Sequence, residues 1–207
     1  MIGDINCYTE TAALPIAGIT ALQALIRHGA LQPGETVLVN GAAGGVGHIA
    51  VQLAKAFGAN VTAVCSQKNI GFIQSLGADA VIPYDDKSLS LHKDKYDLVV
   101  DVHGSLNYED YKRLGKRGVM VGFTGIGRMM RTIVMSLAGK FSLKQFTAEV
   151  NTDDLELLAL MVQKAKVKVH LENVYSFERI PEAVAHIETG VHKGKVAMVW
   201  EEQPIYT

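Results

Sequence analysis

The sequence lacks the features that mark a protein for export, for a membrane or for a polyanionic partner. Its formal net charge is -1 over 207 residues, and the basic residues are scattered, so nothing favours nucleic acid or an acidic membrane surface. No apolar run reaches the roughly 20 residues that a membrane span needs. The amino terminus has neither the basic region nor the apolar core of a signal peptide. We expect a cytoplasmic protein that acts on a small molecule, without a nucleic acid or membrane partner.

Cysteine is scarce as well. Cys7 and Cys65 are the only two, too few for a disulfide framework or a cysteine-rich zinc site, which agrees with a reducing compartment. The seven histidines are dispersed, and neither His186 with His192 nor another pair has zinc-ligand spacing with cysteines. The G-x-S-x-G elbow of hydrolases and the G-x-x-x-x-G-K-[ST] loop of nucleoside triphosphatases are also absent. The sequence therefore predicts no metal site and argues against both of these enzyme classes.

What the chain does contain is a βαβ pattern near its first third. Residues 36–40 are mainly β-branched or apolar, as expected of a buried strand, and they lead into a glycine-rich turn at 41–47. Apolar residues then recur on one helical face as far as Gly58, which stands where a left-handed terminating residue is expected. A second apolar strand over Val61–Cys65 completes the unit.

The glycine-rich turn predicts an anion cradle for a dinucleotide. Gly44 would let the backbone approach a pyrophosphate, and Gly47 would let the helix pack closely against the strand. Unpaired amides of the first helical turn, together with the helix dipole, would attract the phosphates. Ala42 occupies the first glycine position of G-x-G-x-x-G, so the strict motif is not present, and the alternative is a turn that binds nothing. The residues of the predicted cradle are Ala43, Gly44, Gly45, Val46 and Gly47.

The rest of the chain continues the alternation of strands and helices. The predicted elements, in chain order, are a helix over Thr11–His28, a helix at 69–76, a strand at 80–83, a strand at 96–102, a helix at 108–114 and a strand at 118–123. Near-continuous apolar strands that alternate with helices indicate a parallel sheet covered on both faces. We therefore predict an α/β fold with a doubly wound parallel sheet, the Rossmann NAD(P)-binding fold, over residues 1–150.

Two later segments are less regular. The methionine-rich stretch 128–140 favours a surface helix that packs its apolar side on the sheet, with substrate lining or a partner contact as the alternatives. Phe141–Val150 predicts an outer strand. Residues 151–207 predict a small α+β extension that starts with a helix capped by Asn151 or Thr152. The remaining elements expected in this extension are a strand from residue 174, a helix at 180–188 and a strand at 195–200.

With these segments in view, the chain resembles the medium-chain dehydrogenase/reductase superfamily, and within it the zinc-free branch of quinone oxidoreductases and related enone reductases. The matching motifs run in the family's order along nearly the whole chain: AALP with GITA at 12–21, AAGGVG at 42–47, SLGAD at 75–79, the YD-x-V-x-D-x-x-G strand at 96–104 and GKV at 194–196. The cofactor loop matches even in the alanine at its first position.

The resemblance implies an NADPH-dependent enzyme that moves a hydride to a quinone or an activated alkene without metal. Family members carry a GroES-like domain before the AALP helix, and this chain begins almost at that helix. Residues 151–207 would then be the remnant of the catalytic domain. The alternative is a non-catalytic NADP(H)-binding module or a truncated fragment. The outer strand could also form a homodimer, as in some family members.

The end of the second strand favours NADP(H) over NAD(H). NAD-selective Rossmann proteins place an acidic residue about 20 residues past the glycines, whereas Cys65 stands here, followed by Ser66 and Lys68. A hydroxyl and a cation suit a 2′-phosphate, which a carboxylate would repel. The alternatives are a small apolar filler at Cys65 and a solvated lysine at Lys68. The resemblance adds Tyr84, after the third strand, as a phosphate neighbour.

Other candidates follow the carboxyl ends of strands, where ligands bind in such sheets. His103 with Gly104 and Phe123 with Thr124 are expected near the ribose and nicotinamide, although His103 could be a loop histidine without a contact. The resemblance suggests that Thr20 faces the nicotinamide, and a half-buried helix residue is the alternative. A lone carboxylate is costly to bury in an apolar strand, so we expect one such residue, at position 101, to bond neighbouring backbone instead of acting as an acid or base.

Overall fold

A parallel β-sheet forms the centre of the structure, a computed structural model that describes residues 8–84, 89, 94–122, 125–139, 141–190 and 192–200. Within those ranges its six strands lie in the order β3-β2-β1-β4-β5-β6. The strands are β1 (Thr36–Asn40), β2 (Asn60–Cys65), β3 (Ala80–Pro83), β4 (Tyr96–Asp101), β5 (Gly115–Met120) and β6 (Ser142–Gln145). Neighbouring strands are parallel throughout, and Val37 of β1 is in register with Val61 and Leu98. This order is that of a doubly wound dinucleotide-binding sheet.

Helices cover both faces of this sheet. The helices are α1 (Tyr8–Ala13), α2 (Pro15–Leu22), α3 (Gly47–Ala56), α4 (Ile70–Ser75), α5 (Tyr108–Leu114), α6 (Ile126–Ala138), α7 (Thr152–Gln163) and α8 (Ile180–Glu188). A π-helical segment, Gln23–His28, continues α2, and short 3₁₀ turns stand at Gln67–Asn69 and Phe177–Arg179. No helix in the described ranges is long and apolar enough to cross a membrane.

Alternate residues of the central strands enter two separate cores. Val37 and Val39 of β1 pack with Ile49 and Leu53 of α3, whereas Leu38 points to the opposite face and packs with Tyr111 of α5. Each of these side chains is fully buried. Because both faces of the strands are covered, the strands have to be apolar at nearly every position. The predicted doubly wound fold is thus confirmed.

The fifth strand begins earlier than the sequence predicts. We expected a strand at 118–123, and β5 covers Gly115–Met120. Its first half carries Lys116 and Arg117, which resemble a solvated loop in sequence. In the structure Lys116 Nζ lies 2.6 Å from a carboxylate oxygen of Asp97, and Arg117 pairs with Glu35, so both cations are neutralised at the amino edge of the sheet.

The carboxyl-terminal region forms a second, smaller sheet. Strands β7 (Leu171–Ser176) and β8 (Lys195–Val199) pair in parallel, and α8 connects them. Helix α7 starts at the predicted cap, where the side-chain oxygen of Asn151 accepts a hydrogen bond of 2.9 Å from the backbone N–H of Asp154. The predicted surface helix α6 is present, but its apolar residues lie on two sides: Met129 and Ile133 pack inward, and others face solvent.

Candidate functional site

The carboxyl ends of the central strands meet at one edge of the sheet and are tied together by backbone hydrogen bonds. Gly41 N–H donates to the carbonyl of Val64 at the end of β2, at 3.1 Å. On the other side, His103 N–H donates to the carbonyl of Asn40 at the end of β1, at 3.3 Å. The loops after β1, β2 and β4 therefore form one continuous surface. It lies where the strand order reverses, the position at which such sheets bind ligands.

The glycine-rich loop is shaped by a close approach between its two ends. A Cβ at Gly47 would lie 2.1 Å from the carbonyl oxygen of Gly41, so only glycine fits where α3 starts. At Gly44 a Cβ would meet nothing closer than that same oxygen, at 3.6 Å, so the loop is open on this side. A ligand can therefore approach the loop backbone closely at Gly44.

The amides of the glycine-rich loop differ in their hydrogen bonding. Gly44 N–H donates to Gly41 O at 3.2 Å, and His48 N–H donates to Gly44 O at 3.1 Å. Among the residues that the structure describes, the N–H groups of Gly45 and Val46 donate to no acceptor. They stand at the start of α3, a ten-residue helix whose dipole is positive at this end. This arrangement fits an anion such as a pyrophosphate.

His48, the second residue of α3, contacts this loop and is a residue that the sequence analysis missed. Its ring is fully buried, with Nδ1 2.9 Å from the carbonyl oxygen of Gly44, and its Nε2 accepts a hydrogen bond of 3.2 Å from the backbone N–H of His170. A carbonyl can only accept and an amide N–H can only donate, so the neutral ring carries its proton on Nδ1. Burial lowers the pKa of His48 to about 4, with smaller contributions from the charges of His170 and Lys195. The neutral ring of His48 therefore stabilises the loop by hydrogen bonding to the backbone of Gly44 and of His170.

The proposed phosphate-selecting residues lie at the end of β2. Ser66 is half-buried, and Lys68 is exposed in the 3₁₀ turn that follows. In the described part of the chain, the Lys68 ammonium makes no ion pair. Cys65 is fully buried, and burial raises the pKa of its thiol to about 11, so the thiol stays protonated. This environment agrees with the interpretation of Cys65 as a small apolar residue that fills space in the core.

Tyr84 and His103 come together beside the loop. Their ring centroids are 5.6 Å apart, and the backbone of His103 touches the loop so closely that a Cβ at Gly41 would lie 2.9 Å from His103 N. Tyr84 N–H donates to Cys65 O at 2.8 Å, which fixes the start of its loop to β2. Burial, ahead of the charge of Asp101, raises the pKa of Tyr84, so the phenol is a neutral donor. His103 therefore has contacts within the cluster.

Asp101 is the hub of hydrogen bonds that shape the loop after β4. The carboxylate is fully buried and accepts bonds from Gly104 N–H at 2.7 Å and Leu106 N–H at 3.0 Å. It also accepts from Asn40 Nδ2 at 2.7 Å and from the Tyr111 hydroxyl at 3.2 Å. The expected bonding of this residue to neighbouring backbone is thus present. Its negative charge is satisfied by donors, so it positions the His103–Gly104 loop.

Other predicted residues are not brought into this cluster. The hydroxyl of Thr20 donates to the carbonyl of Ile16 in its own helix at 2.6 Å, which matches a half-buried helix residue. Phe123 and Thr124 lie outside the described residues. The cluster that the structure does assemble therefore contains the glycine-rich loop, Tyr84 and His103.

Comparison with known proteins places the chain among dehydrogenases. The sequence model of a family described as zinc-binding dehydrogenase matches residues 76–198. The chain is 35% identical over 199 residues to a chloroplast envelope quinone oxidoreductase homolog of Arabidopsis thaliana, covering 90% of this chain and 60% of the relative. It is 33% identical over 195 residues to a 2-methylene-furan-3-one reductase of Solanum lycopersicum, covering 92% and 47%.

Solved structures agree with the sequence relatives. The quinone oxidoreductase from Coxiella burnetii superposes with a TM-score of 0.81 at 30% identity, covering 90% of this chain and 59% of that one. The chain thus spans about 60% of the length of curated relatives such as the quinone oxidoreductase homolog of Arabidopsis thaliana. Zinc does not fit the described residues, because no group of three or more His, Cys, Asp or Glu side chains among them could hold a metal ion.

Proposed function

Because the chain belongs to the medium-chain dehydrogenase/reductase superfamily, we propose that it is the cofactor-binding part of an NADPH-dependent, zinc-free oxidoreductase that transfers a hydride to a quinone or an activated alkene. Residues 1–150 would bind the dinucleotide, and residues 151–207 would form an extension that is the remnant of a catalytic domain. The observation that carries the proposal is the glycine-rich loop, which is open at Gly44 and whose Gly45 and Val46 amides donate to no acceptor among the described residues.

In this proposal the chain's residues bind and orient the cofactor, which supplies the hydride when bound. The amides of Gly45 and Val46 hold the pyrophosphate. The loop of His103 and Gly104, fixed by the buried carboxylate of Asp101, lines the ribose and nicotinamide side. Because these groups are held in place before the ligand arrives, little ordering is needed when the nicotinamide is set against an acceptor.

Selection of NADP(H) rests on the end of β2. Cys65 replaces the carboxylate that would accept bonds from ribose hydroxyls and repel a 2′-phosphate. The exposed ammonium of Lys68 is uncommitted within the described residues, and the Ser66 hydroxyl stands two positions before it. Together they offer a cation and a donor to a dianion. Tyr84 would add its neutral hydroxyl on the other side.

The acceptor class follows from what the relatives share. Their names describe reduction of quinones, of a 2-methylene-furan-3-one and of alkenals or enones. In each of these substrates a carbon–carbon double bond is conjugated to a carbonyl. A hydride can add to such a conjugated system without a metal ion. We assign that conjugated class to this chain. A cytoplasmic location remains our prediction, and some relatives carry chloroplastic or mitochondrial names.

A non-catalytic NADP(H)-binding module is the second candidate, and the chain spans about 60% of the length of these relatives. The two candidates share the cofactor site and differ in turnover. Incubation of the chain with NADPH and a quinone, followed by loss of the reduced nicotinamide absorbance, separates them. Turnover by this chain alone would eliminate the binding module.

A homodimer is the proposed assembly. Strand β6 is at an edge of the described sheet, and helix α6 beside it exposes apolar residues. The exposed apolar residues of α6 are Ile126, Met130, Val134 and Leu137. Burying such a stripe against a second copy would remove it from water. Light scattering at increasing concentration tests this, and a monomer at every concentration would contradict it.

The cofactor proposal is tested by parallel titrations with NADPH and NADH, followed through nicotinamide fluorescence. We expect tighter binding of NADPH, and in Lys68→Ala a loss of about tenfold in NADPH affinity with NADH affinity unchanged, because one charge-assisted contact is removed. Lys164→Ala, which removes an exposed lysine after α7, is the matched control. Equal affinities of wild type for the two cofactors would refute the assignment of the 2′-phosphate site.

A further inference from the structure

A cavity of about 600 Å³ lies where α3 and α4 meet the segment that leads into β7. The α3 residues that line it are Gln52, Lys55 and Ala56, in the second half of the helix, whereas the glycine-rich loop lies at the start of α3. The cavity is therefore separate from the predicted dinucleotide cradle. Its volume is in the range of small-molecule sites, about 300–1,000 Å³.

The sequence before β7 directs basic side chains into this cavity. Residues 166–170 read KVKVH, and both valines are buried in the core. Because successive side chains of an extended chain point to opposite sides, Lys166, Lys168 and His170 share the other side, and all three line the cavity. The side chain of Gln52 bonds the backbone N–H and carbonyl of Lys168, at 2.8 and 2.9 Å, and fixes this arrangement.

The charged side chains of this cavity are of one sign. Within the described residues, its lining includes three lysines and a histidine but no carboxylate. Lys55 is already committed, because its Nζ lies 2.9 and 2.8 Å from the two carboxylate oxygens of Asp79. The ammonium groups of Lys166 and Lys168 make no hydrogen bond or ion pair with any described residue. Two cations at the cavity thus have no counter-ion in the described part of the chain.

An imidazole and an apolar wall lie beside these two cations. The ring centroids of His170 and Phe72 are 4.6 Å apart, and half-buried Leu76 lines the same cavity. Burial, with the charges of two nearby lysines and against that of Glu172, lowers the pKa of His170. The imidazole is therefore neutral at pH 7 and carries one N–H. The cavity thus combines two cations, one neutral donor and an aromatic surface.

We propose that this cavity binds a small molecule in which a dianionic phosphate group is attached to an aromatic ring. Lys166 and Lys168 hold the phosphate, because two ammonium groups balance the two charges of a phosphate monoester. The imidazole of His170 donates to a third phosphate oxygen, and the ligand's ring packs against Phe72. The site is independent of the proposed function, since no residue of the glycine-rich loop takes part.

The test compares two probes by following the chemical shifts of backbone amides during titration at neutral pH. Phenyl phosphate carries both the ring and the anion, whereas inorganic phosphate carries only the anion. We expect saturable shifts at residues 165–170 and in α4, tighter binding of phenyl phosphate, and affinities that fall as ionic strength rises. The double variant Lys166→Gln/Lys168→Gln should bind phenyl phosphate at least about tenfold more weakly, because two charge-assisted contacts are lost.

The matched control is Lys164→Gln, which removes an exposed lysine that does not line the cavity and should leave the affinity unchanged. An equal loss in this variant would overturn the inference, because it would indicate a general effect of surface charge. Undiminished binding by the double variant, or no binding by wild type, would overturn it as well. Equal affinities for the two probes would refute the contact with Phe72.

NADPH separates this site from the proposed cofactor site. Saturating NADPH should not displace phenyl phosphate from wild type, since the two sites lie at different ends of α3. Displacement would overturn the inference, because the probe and the cofactor would then share one site. Binding of phenyl phosphate by a chain that fails to bind NADPH would refute the proposed function and leave this inference standing.

Discussion

The two sheets of this chain differ in how much apolar surface they bury. In β1 the side chains of Val37, Leu38 and Val39 are all 0% exposed, because helices cover both faces of the large sheet. In the small sheet Val174 is 49% exposed and Met198 is 50% exposed. A two-stranded sheet has marginal stability in water without a covering layer. The large sheet therefore carries its own stability, whereas the small sheet depends on its attachment to the first region.

That attachment uses buried polar side chains that bond to backbone. Gln52 of α3 donates to the carbonyl of Lys168 at 2.9 Å and accepts from its N–H at 2.8 Å. Gln23 makes the same pair of bonds to Glu149, at 2.7 and 3.0 Å. Each glutamine amide thus serves as a strand partner for an extended segment. Because these bonds are shielded from water, they fix where the carboxyl-terminal region sits on the large sheet.

The sharpest test of the comparison is to truncate the same residue type in both regions. Leu98 of β4 is fully buried, and Leu160 of α7 is 42% exposed. Leu98→Ala should lower the free energy of unfolding by about 2–5 kcal/mol, because it leaves a cavity in a packed core. Leu160→Ala should cost less than about 1 kcal/mol, since its environment is partly water already. Urea unfolding measures both, and equal losses would contradict the comparison.

The second prediction concerns how pH affects the contact between His48 and His170, which joins the two regions. His48 has a pKa of about 4 in the folded chain because it is buried, against about 6.5 when unfolded. Between these values the unfolded state binds more protons, so the free energy of unfolding falls as pH falls from about 6.5 to about 4. The full difference is about 3 kcal/mol. Protonation of Nε2 also removes its bond from His170 N–H.

This pH effect is isolated by comparison with His48→Gln. Other histidines, His28 and His170, have pKa values lowered mainly by burial and add to the same trend. Subtracting the free energy of unfolding of the variant from that of wild type at each pH removes the contribution of these two histidines. Urea unfolding at several pH values from 4 to 7 should give a steeper decline for wild type. Parallel curves for the two proteins would show that His48 titrates normally in the fold.

The sequence was sufficient for the parts of the fold that local patterns encode. The βαβ unit, the left-handed Gly58 and the extents of β3 and α5 follow from periodicity and from glycine positions. The bonding of Asp101 followed from the cost of burying a lone carboxylate. What could not be predicted depends on residues distant in sequence. Neither the bond between His48 and His170 nor the placement of Lys195 over Gly45 leaves a local pattern.

The smallest predicted difference compares the helix caps of the two regions. Asn107 caps α5 in a capping box, its side chain accepting from Asp110 N–H at 3.1 Å. Asn151 caps α7 through Asp154 N–H, and its Nδ2 also donates to Glu149 O at 3.1 Å, in the segment that Gln23 anchors. Loss of a cap costs about 1 kcal/mol. Asn151→Ala removes both the cap and a tie between the regions.

We therefore expect Asn107→Ala to lower the free energy of unfolding by about 0.5–1 kcal/mol and Asn151→Ala by about 1–2 kcal/mol. The rates of amide hydrogen exchange show which elements each substitution destabilises. Asn107→Ala should affect amides of α5 alone, whereas Asn151→Ala should speed exchange in α7 and also in the small sheet, because that sheet follows α7 in the chain and is positioned by the same attachment. Exchange confined to α7 would mean that Gln52 and His48 hold the small sheet without help from the segment around Glu149.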